Sequence, residues 1–270
     1  MNFEFLNAAT YTQLVTLYSC AGAFVMYTAW YVLRKFWPGL IIEDVDSDFI
    51  AALHAALFTI TFLTLGYCLV NASDTADNYQ QNVEAEANDI KSLNILLSLY
   101  GNHESAILQS DLKNYAQSIT MDEWPSLAKG QGSDKTLELQ RKLRSDLSLL
   151  QPKSGRDLVI YAQILETTSK IIQARSTRIA NANNNLAPQF MLASNVGYVC
   201  IMLISALMLT QFTWFRFLSL NIQIFAVSFI FASTITLDNP FRGKDSVSAE
   251  PIALLLPNNG VAADNQQSGH

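Results

Sequence analysis

Charged residues are few in this sequence: 15% of its 270 positions are Asp, Glu, Lys or Arg, half are apolar, and the mean hydropathy is positive. A soluble globular chain carries about 25% charged residues, so the balance argues against a wholly soluble protein and indicates partial embedding in a membrane. The net charge of −6 offers no basic surface, which sets nucleic acid aside as a partner. Cysteine is rare as well. Cys20, Cys68 and Cys200 each fall inside an apolar segment, where a small apolar side chain suits packing and oxidised pairing is disfavoured. The three histidines, His54, His103 and His270, are too scattered for a Cys/His metal cluster, and there is no Gly-rich phosphate loop and no G-x-S-x-G. An enzyme is therefore not expected, nor a metal or other cofactor. Met1 to Leu14 lacks the basic n-region of a cleaved signal, and the apolar segment behind it is long and ends on Arg34 and Lys35. That segment reads as an anchor.

What the chain has instead is long apolar runs, and Asp48 to Tyr100 organises the rest. Its first half, Phe49 to Ala72, has no charged residue and at about 1.5 Å per residue is long enough to cross roughly 30 Å of hydrocarbon. Its second half has no Gly or Pro before Gly101 and places Val83, Ala87, Ile90, Leu93, Leu97 and Tyr100 at helical steps, with Glu84, Asp89, Lys91 and Ser98 on the other face. Further spans are expected near 14–33, 190–209 and 217–236. The expected fold is all-α, with four membrane helices in two hairpins, 1–72 and 188–243, around a helical extramembrane domain, 73–187. Ser47 or Asp48 suits the N-cap of the second span, and Pro188 opens the third. In the tail, 244–270, the run Ile252 to Leu256 is too short to span, and Asn258 to His270 lacks periodicity, so disorder is expected from 258.

Within the polar region, a helix near 104–119 is expected to end at Glu123, Trp124 and Pro125. Gly130 and Gly132 mark a loop, and Ser133 or Asp134 caps a third helix carrying Leu139, Leu143, Leu147 and Leu150. A fourth, 157–182, sets Leu158, Tyr161, Leu165, Thr168, Ile172, Arg175 and Ile179 on a heptad-like seam. That seam calls for a partner helix, for which the second half of the spine is the expected one. Arg34, Lys35 and Arg216 border short connections, which places both termini and the helical domain on the non-cytoplasmic side.

His54 is the one His, Lys, Arg, Asp or Glu well inside a span, a functional position by default as a proton or ion contact; the competing reading is a hydrogen bond to a neighbouring helix close to the interface. Asn195, Asn221, Gln223, Thr59, Thr61 and Thr64 either line a wet path or bond between helices. Phe49, Phe58 and Phe62 either constrict a pore by dewetting or pack against core and lipid. In Leu237-Asp238-Asn239-Pro240-Phe241-Arg242-Gly243, Pro240 stops the last span and strands Asp238 at a helix C-terminus, where its charge is disfavoured. Arg242, Lys244 or backbone amides of its own turn are the expected compensation.

Several of these residues form a pattern. Glu86-Ala87-Asn88 on the spine, Tyr115 and Ala116 followed by Glu123-Trp124-Pro125, and the closing L-D-x-P-F-x-G with Asp238, Pro240, Phe241 and Gly243 resemble the bacterial bestrophin-like membrane proteins, distant relatives of bestrophin channels. The resemblance runs over roughly residues 15 to 250. It implies a homo-oligomer in the bacterial inner membrane, lipid-embedded, passing small ions, anions by analogy, along an axis lined by the second span. Phe58, Phe62 and His54 are then the pore and gate candidates. The alternative is a non-conducting scaffold or accessory subunit whose helical domain docks other membrane proteins.

Overall fold

The computed structural model describes residues 11–37, 44–182, 188–238, 240–241 and 247–256, and every regular element among them is helical. In chain order these are α1 (Tyr11–Phe36), α2 (Asp44–Tyr100), α3 (His103–Ser118), a π-helical turn (Ile119–Glu123), α4 (Trp124–Leu127), α5 (Asp134–Asp146), a 3-10 turn (Leu147–Leu149), α6 (Gly155–Asn181), α7 (Pro188–Met208), α8 (Trp214–Leu237) and α9 (Glu250–Ala253). They divide into two compact units, residues 1–76 with 185–246, and 77–184 with 247–270.

The first unit holds helices long and apolar enough to cross a membrane: α1, the first half of α2, α7 and α8. Their outer faces carry large apolar side chains such as Phe24, Leu192, Ile222 and Phe225, each more than half exposed. That surface suits hydrocarbon and not water, and the protein is an integral membrane protein. Inside, Met26, Leu65, Tyr198, Met202, Leu220 and Phe231 form one packed cluster. Polar bonds tie it together. Tyr198 donates to Tyr18 O (3.0 Å) and meets Ser228 Oγ (3.1 Å), joining α7 to α1 and α8. A Cβ on Gly22 would collide with that hydroxyl, so the glycine is what lets α1 and α7 close here. Tyr27 and Asn221 exchange two hydrogen bonds, 3.0 and 2.8 Å, between α1 and α8. Of the polar residues inside spans, then, Asn221 bonds between helices as one reading expects. Asn195, Thr59 and Thr64 turn back to their own helix, each donating to the carbonyl four residues earlier.

The second unit is built from the second half of α2 with α3 to α6 and α9. Val83, Ala87, Ile90, Leu93 and Leu97 of α2 are all buried, as their spacing predicts. Gly101, at φ +70, ends α2 in the left-handed region that glycine tolerates, and Asn102 then caps α3 through its side chain, 2.8 Å to Ser105 N. Ser133 caps α5, and Ser154 with Asp157 forms a reciprocal capping box on α6.

Three local expectations change. α2 begins at Asp44, so Ser47 and Asp48 lie inside the helix and not at its cap. α3 does not end at Glu123-Trp124-Pro125: it runs on through the π turn into α4, with Pro125 in the first turn of α4. The buried line of α6 is Ile164, Thr168, Ile171, Arg175 and Arg178, while Leu158 and Leu165 are exposed. The seam is thus rotated, because the helix turns its two arginines inward. The run after Pro251, too short to span, packs on this unit: Ile252 is fully buried, and Trp124 Nε1 donates to Val247 O at 3.1 Å. Gly243, Arg242, Lys244 and the tail from 258 lie outside the described residues.

Candidate functional site

Two clusters gather the residues singled out by the sequence. The first is on the membrane half of α2. His54, Phe58 and Phe62 sit at i, i+4 and i+8, and their rings stack in series, with centroids 6.5 Å and 5.6 Å apart. The three are not equivalent. His54 is buried and hydrogen-bonds Ser205 Oγ of α7 at 3.0 Å, as the reading of a bond to a neighbouring helix anticipates. Phe58 packs on the interior cluster. Phe62 is 38% exposed, so of the three it is the residue with surface left to offer. Along its side of the helix run Ala55, Thr59 and Gly66 at helical steps, none of them buried. Below them, Thr61 faces Gly197 of α7, where a Cβ would strike its hydroxyl. Phe49 is 68% exposed and apart from the stack.

The second cluster lies in the helical unit. Glu123, at the end of the π turn and fully buried, receives Arg175 through Nε (2.9 and 3.1 Å) and Nη2 (2.8 Å), Arg178 Nη2 (3.2 Å) and the Ser133 backbone N–H (3.2 Å). Arg178 also binds Glu86 of α2 through Nη1 and lies over the Trp124 ring, 5.5 Å to its centroid. Arg175 reaches Ser133 O (3.0 Å) besides. Two carboxylates face two guanidiniums, so the buried group is neutral as a whole, the condition under which charge survives burial. Burial lowers the Arg178 pKa to about 9, still above neutral pH, so it meets both acids as a cation. Neighbouring Tyr115 is held neutral: burial, with the Glu123 charge adding to it, raises its pKa well beyond the usual phenol range.

Glu86, Glu123 and Trp124 therefore come together around Arg178, whereas Asn88 is exposed, and Pro125 is exposed on α4. Asp238 stands at the C-cap of α8, its N–H on Thr234 O at 2.9 Å, with Pro240 and Phe241 buried after it. Arg175 and Arg178 are what the sequence reading missed as site residues. The signal was present: two arginines three apart, one of them on an apolar helical seam, can be inward only if acids meet them.

The fold and these clusters define a four-span helical membrane protein with a second, charge-stapled helical unit. Residues 21–252 match the family model described as the Bestrophin-like domain. The chain belongs to the bestrophin-like family, a family of ion channels. Among solved structures it is similar to one described as a membrane protein with a proline-to-alanine substitution (12% identity, TM-score 0.63, covering 89% of this chain and 95% of that one). It is also similar to a bacterial bestrophin homolog from Klebsiella pneumoniae carrying a tryptophan-to-alanine mutation (9% identity, TM-score 0.51, covering 92% and 95%). At these identities the likeness is one of fold. No curated protein matches the chain.

Proposed function

We propose that the chain is one subunit of a homo-oligomeric ion channel in the bacterial inner membrane, its conducting axis lined by the membrane half of α2. The observation that carries this reading is the strip Ala55, Thr59, Phe62 and Gly66, which the protomer leaves uncovered. Elsewhere the outward faces bear large apolar groups suited to lipid; here three small residues surround one aromatic ring. Small residues let helices of adjacent copies approach closely, and a ring of phenylalanines narrows an axis by dewetting. Phe58, packed on the interior cluster, and His54, bonded to Ser205, stack behind Phe62 and hold that ring in place. Arg175 and Arg178 are spent inside the helical unit, which leaves Arg34, Lys35 and Arg216 as the cations bordering the spans among the described residues. This supports placing the helical unit and both termini on the non-cytoplasmic side. The test is ion flux through reconstituted protein whose subunit number has been counted in the same sample. Flux by an oligomer supports the reading; a homogeneous oligomer without flux for chloride, potassium or sodium overturns it.

The rival reading is a non-conducting scaffold. What favours it is the outer face of α6, where Leu158, Val159 and Leu165 are 59%, 60% and 43% exposed, a surface a partner helix would cover. Co-purification of a stoichiometric larger complex, with no flux, would establish it.

A further inference from the structure

The helical unit contains a cavity that the channel reading does not use, between the second half of α2, α3 and the residues just after α9, of about 510 Å³. That is in the range that holds small organic ligands. Its apolar lining comes from Ile90, Leu112, Leu255 and Leu256, and two lysines, Lys91 and Lys113, share its wall. Both lysines lack an ion pair among the described residues. The acids nearest them in sequence are engaged elsewhere: Asp111 binds Lys142, and Asp89 acts on Lys170, which also pairs with Glu166 at 2.9 Å. In a chain with net charge −6, two cations left unpaired on one cavity form a local positive field against an acidic background.

Polar donors complete the lining. The Gln109 side chain donates to Asn94 O and Oδ1, both at 3.2 Å, and to Ser98 Oγ at 2.7 Å. It is thereby fixed, while the Asn94 NH₂ has no acceptor among the described residues and lies one turn from Lys91. A ligand matching this lining has one anionic head, met by two ammonium groups and an amide, and an apolar body, covered by Leu112, Leu255 and Leu256.

We propose that this cavity binds an anionic amphiphile, a carboxylate or phosphate carried on a short aliphatic chain, as a ligand separate from the conducted ion. A free fatty carboxylate and a lysophospholipid share that chemistry and are distinguished by which head binds. The cavity's far wall is made by the segment that Trp124 and Gln80 hold through Val247 O and Ser248 N (both 3.1 Å), so a bound chain would also tie that segment to α2 and α3.

The test uses the full-length protein in nanodiscs with octanoate as probe, monomeric and soluble at millimolar concentration, followed by saturation-transfer NMR. Octanol and acetate supply the chain and the charge separately, and octyl phosphate the other head. Saturable binding of octanoate or octyl phosphate, absent for acetate, weakened at least tenfold in Lys91→Gln/Lys113→Gln and unchanged for octanol, supports the proposal. The stronger of the two heads identifies the source. Equal signals from octanoate and octanol, indifferent to the lysine variant, would show bilayer partitioning and overturn it. So would binding seen only after truncation behind Leu256, which would assign the cavity to the chain's own tail, or a map in which a neighbouring copy fills it. A second variant, Asn94→Leu, guards against a folding artefact: with an unchanged melting profile it should weaken octanoate and spare octanol.

Discussion

Glu123 and Arg175, 52 positions apart, meet fork to fork with Nη2–Oε2 at 2.8 Å and Nε–Oε1 at 2.9 Å, both side chains buried. One comes from a π turn and the other from α6, so the pair fixes the relation between those two elements. A buried pair of this kind stabilises little against a well-packed apolar substitute, yet breaking it strands a charge. Arg175→Met alone should therefore destabilise the helical unit by about 3–5 kcal/mol, read as a lowered unfolding midpoint of the full-length protein in detergent. The double variant Arg175→Met/Glu123→Gln should recover part of that loss. A single variant that melts with the wild type would remove the staple role.

Phe58 and Phe62 are adjacent rings with different predicted roles. Phe58→Ala deletes a half-buried ring from the membrane cluster and should cost about 2–3 kcal/mol of stability, below the full cost of a fully buried phenylalanine. Phe62→Ala should leave melting within about 1 kcal/mol and raise ion flux through the reconstituted oligomer. Liposome flux and thermal unfolding of the two variants separate the roles. Unchanged flux in Phe62→Ala, in an oligomer that conducts, would take the constriction away from this residue.

Gly22 and Tyr198 form a size lock between α1 and α7. Gly22→Ala places a methyl where the Tyr198 hydroxyl sits, and overpacking of that order costs about 1–3 kcal/mol. Tyr198→Phe alone gives up two hydrogen bonds but vacates the space. The double variant should be more stable than the sum of the two singles predicts, a coupling measurable by a double-mutant cycle. Strict additivity would mean that α1 simply shifts to make room.

Asp146 supplies a pH dependence. Burial, and then neighbouring Asp111, raise its carboxyl pKa, while Lys142 partly offsets them. The folded protein thus keeps this proton at pH values where the unfolded chain has released it. Its contribution is complete below the ordinary Asp value of about 4 and is lost as pH rises through the raised folded value. Asp146→Asn should accordingly stabilise the protein near neutral pH and converge with wild type below about pH 4. Parallel melting curves across that window would contradict the assignment.

The membrane half was largely legible in the sequence because hydrocarbon imposes one requirement, a long uncharged helix, and Phe49 to Ala72 meets it without ambiguity. The α2 face Val83 to Leu97 was legible for the same kind of reason: one period, one side, no competing partner. What sequence periodicity did not reveal was where charge replaces apolar contact. Arg175 and Arg178 lie on the inward face of α6 because Glu86 and Glu123 meet them, and these acids come from two other elements. No local pattern records such a meeting. Lys142 with Asp111 and Asp146 escaped notice for the same reason, two of the three being on α5 and the third on α3. Trp124 and Pro125 looked like a helix end because proline is a breaker in general, although at the first turn of α4 it breaks nothing.

The π turn has a further consequence. Tyr115, Ile119, Glu123 and Leu127 are all fully buried and stand four apart. In an unbroken α-helix a step of four overshoots one turn by about 40°, so such a row would spiral off its face within three steps. One additional residue between Ile119 and Glu123 winds the row back. Deleting the exposed Met121 would close the π turn to an ordinary α turn and leave Glu123 on the face of both arginines, whereas the same deletion in the regular part of α3 would turn its two sides about 100° out of phase. What this stretch holds is a spare residue: of the whole run from His103 to Leu127, it is the turn that should accept a one-residue deletion.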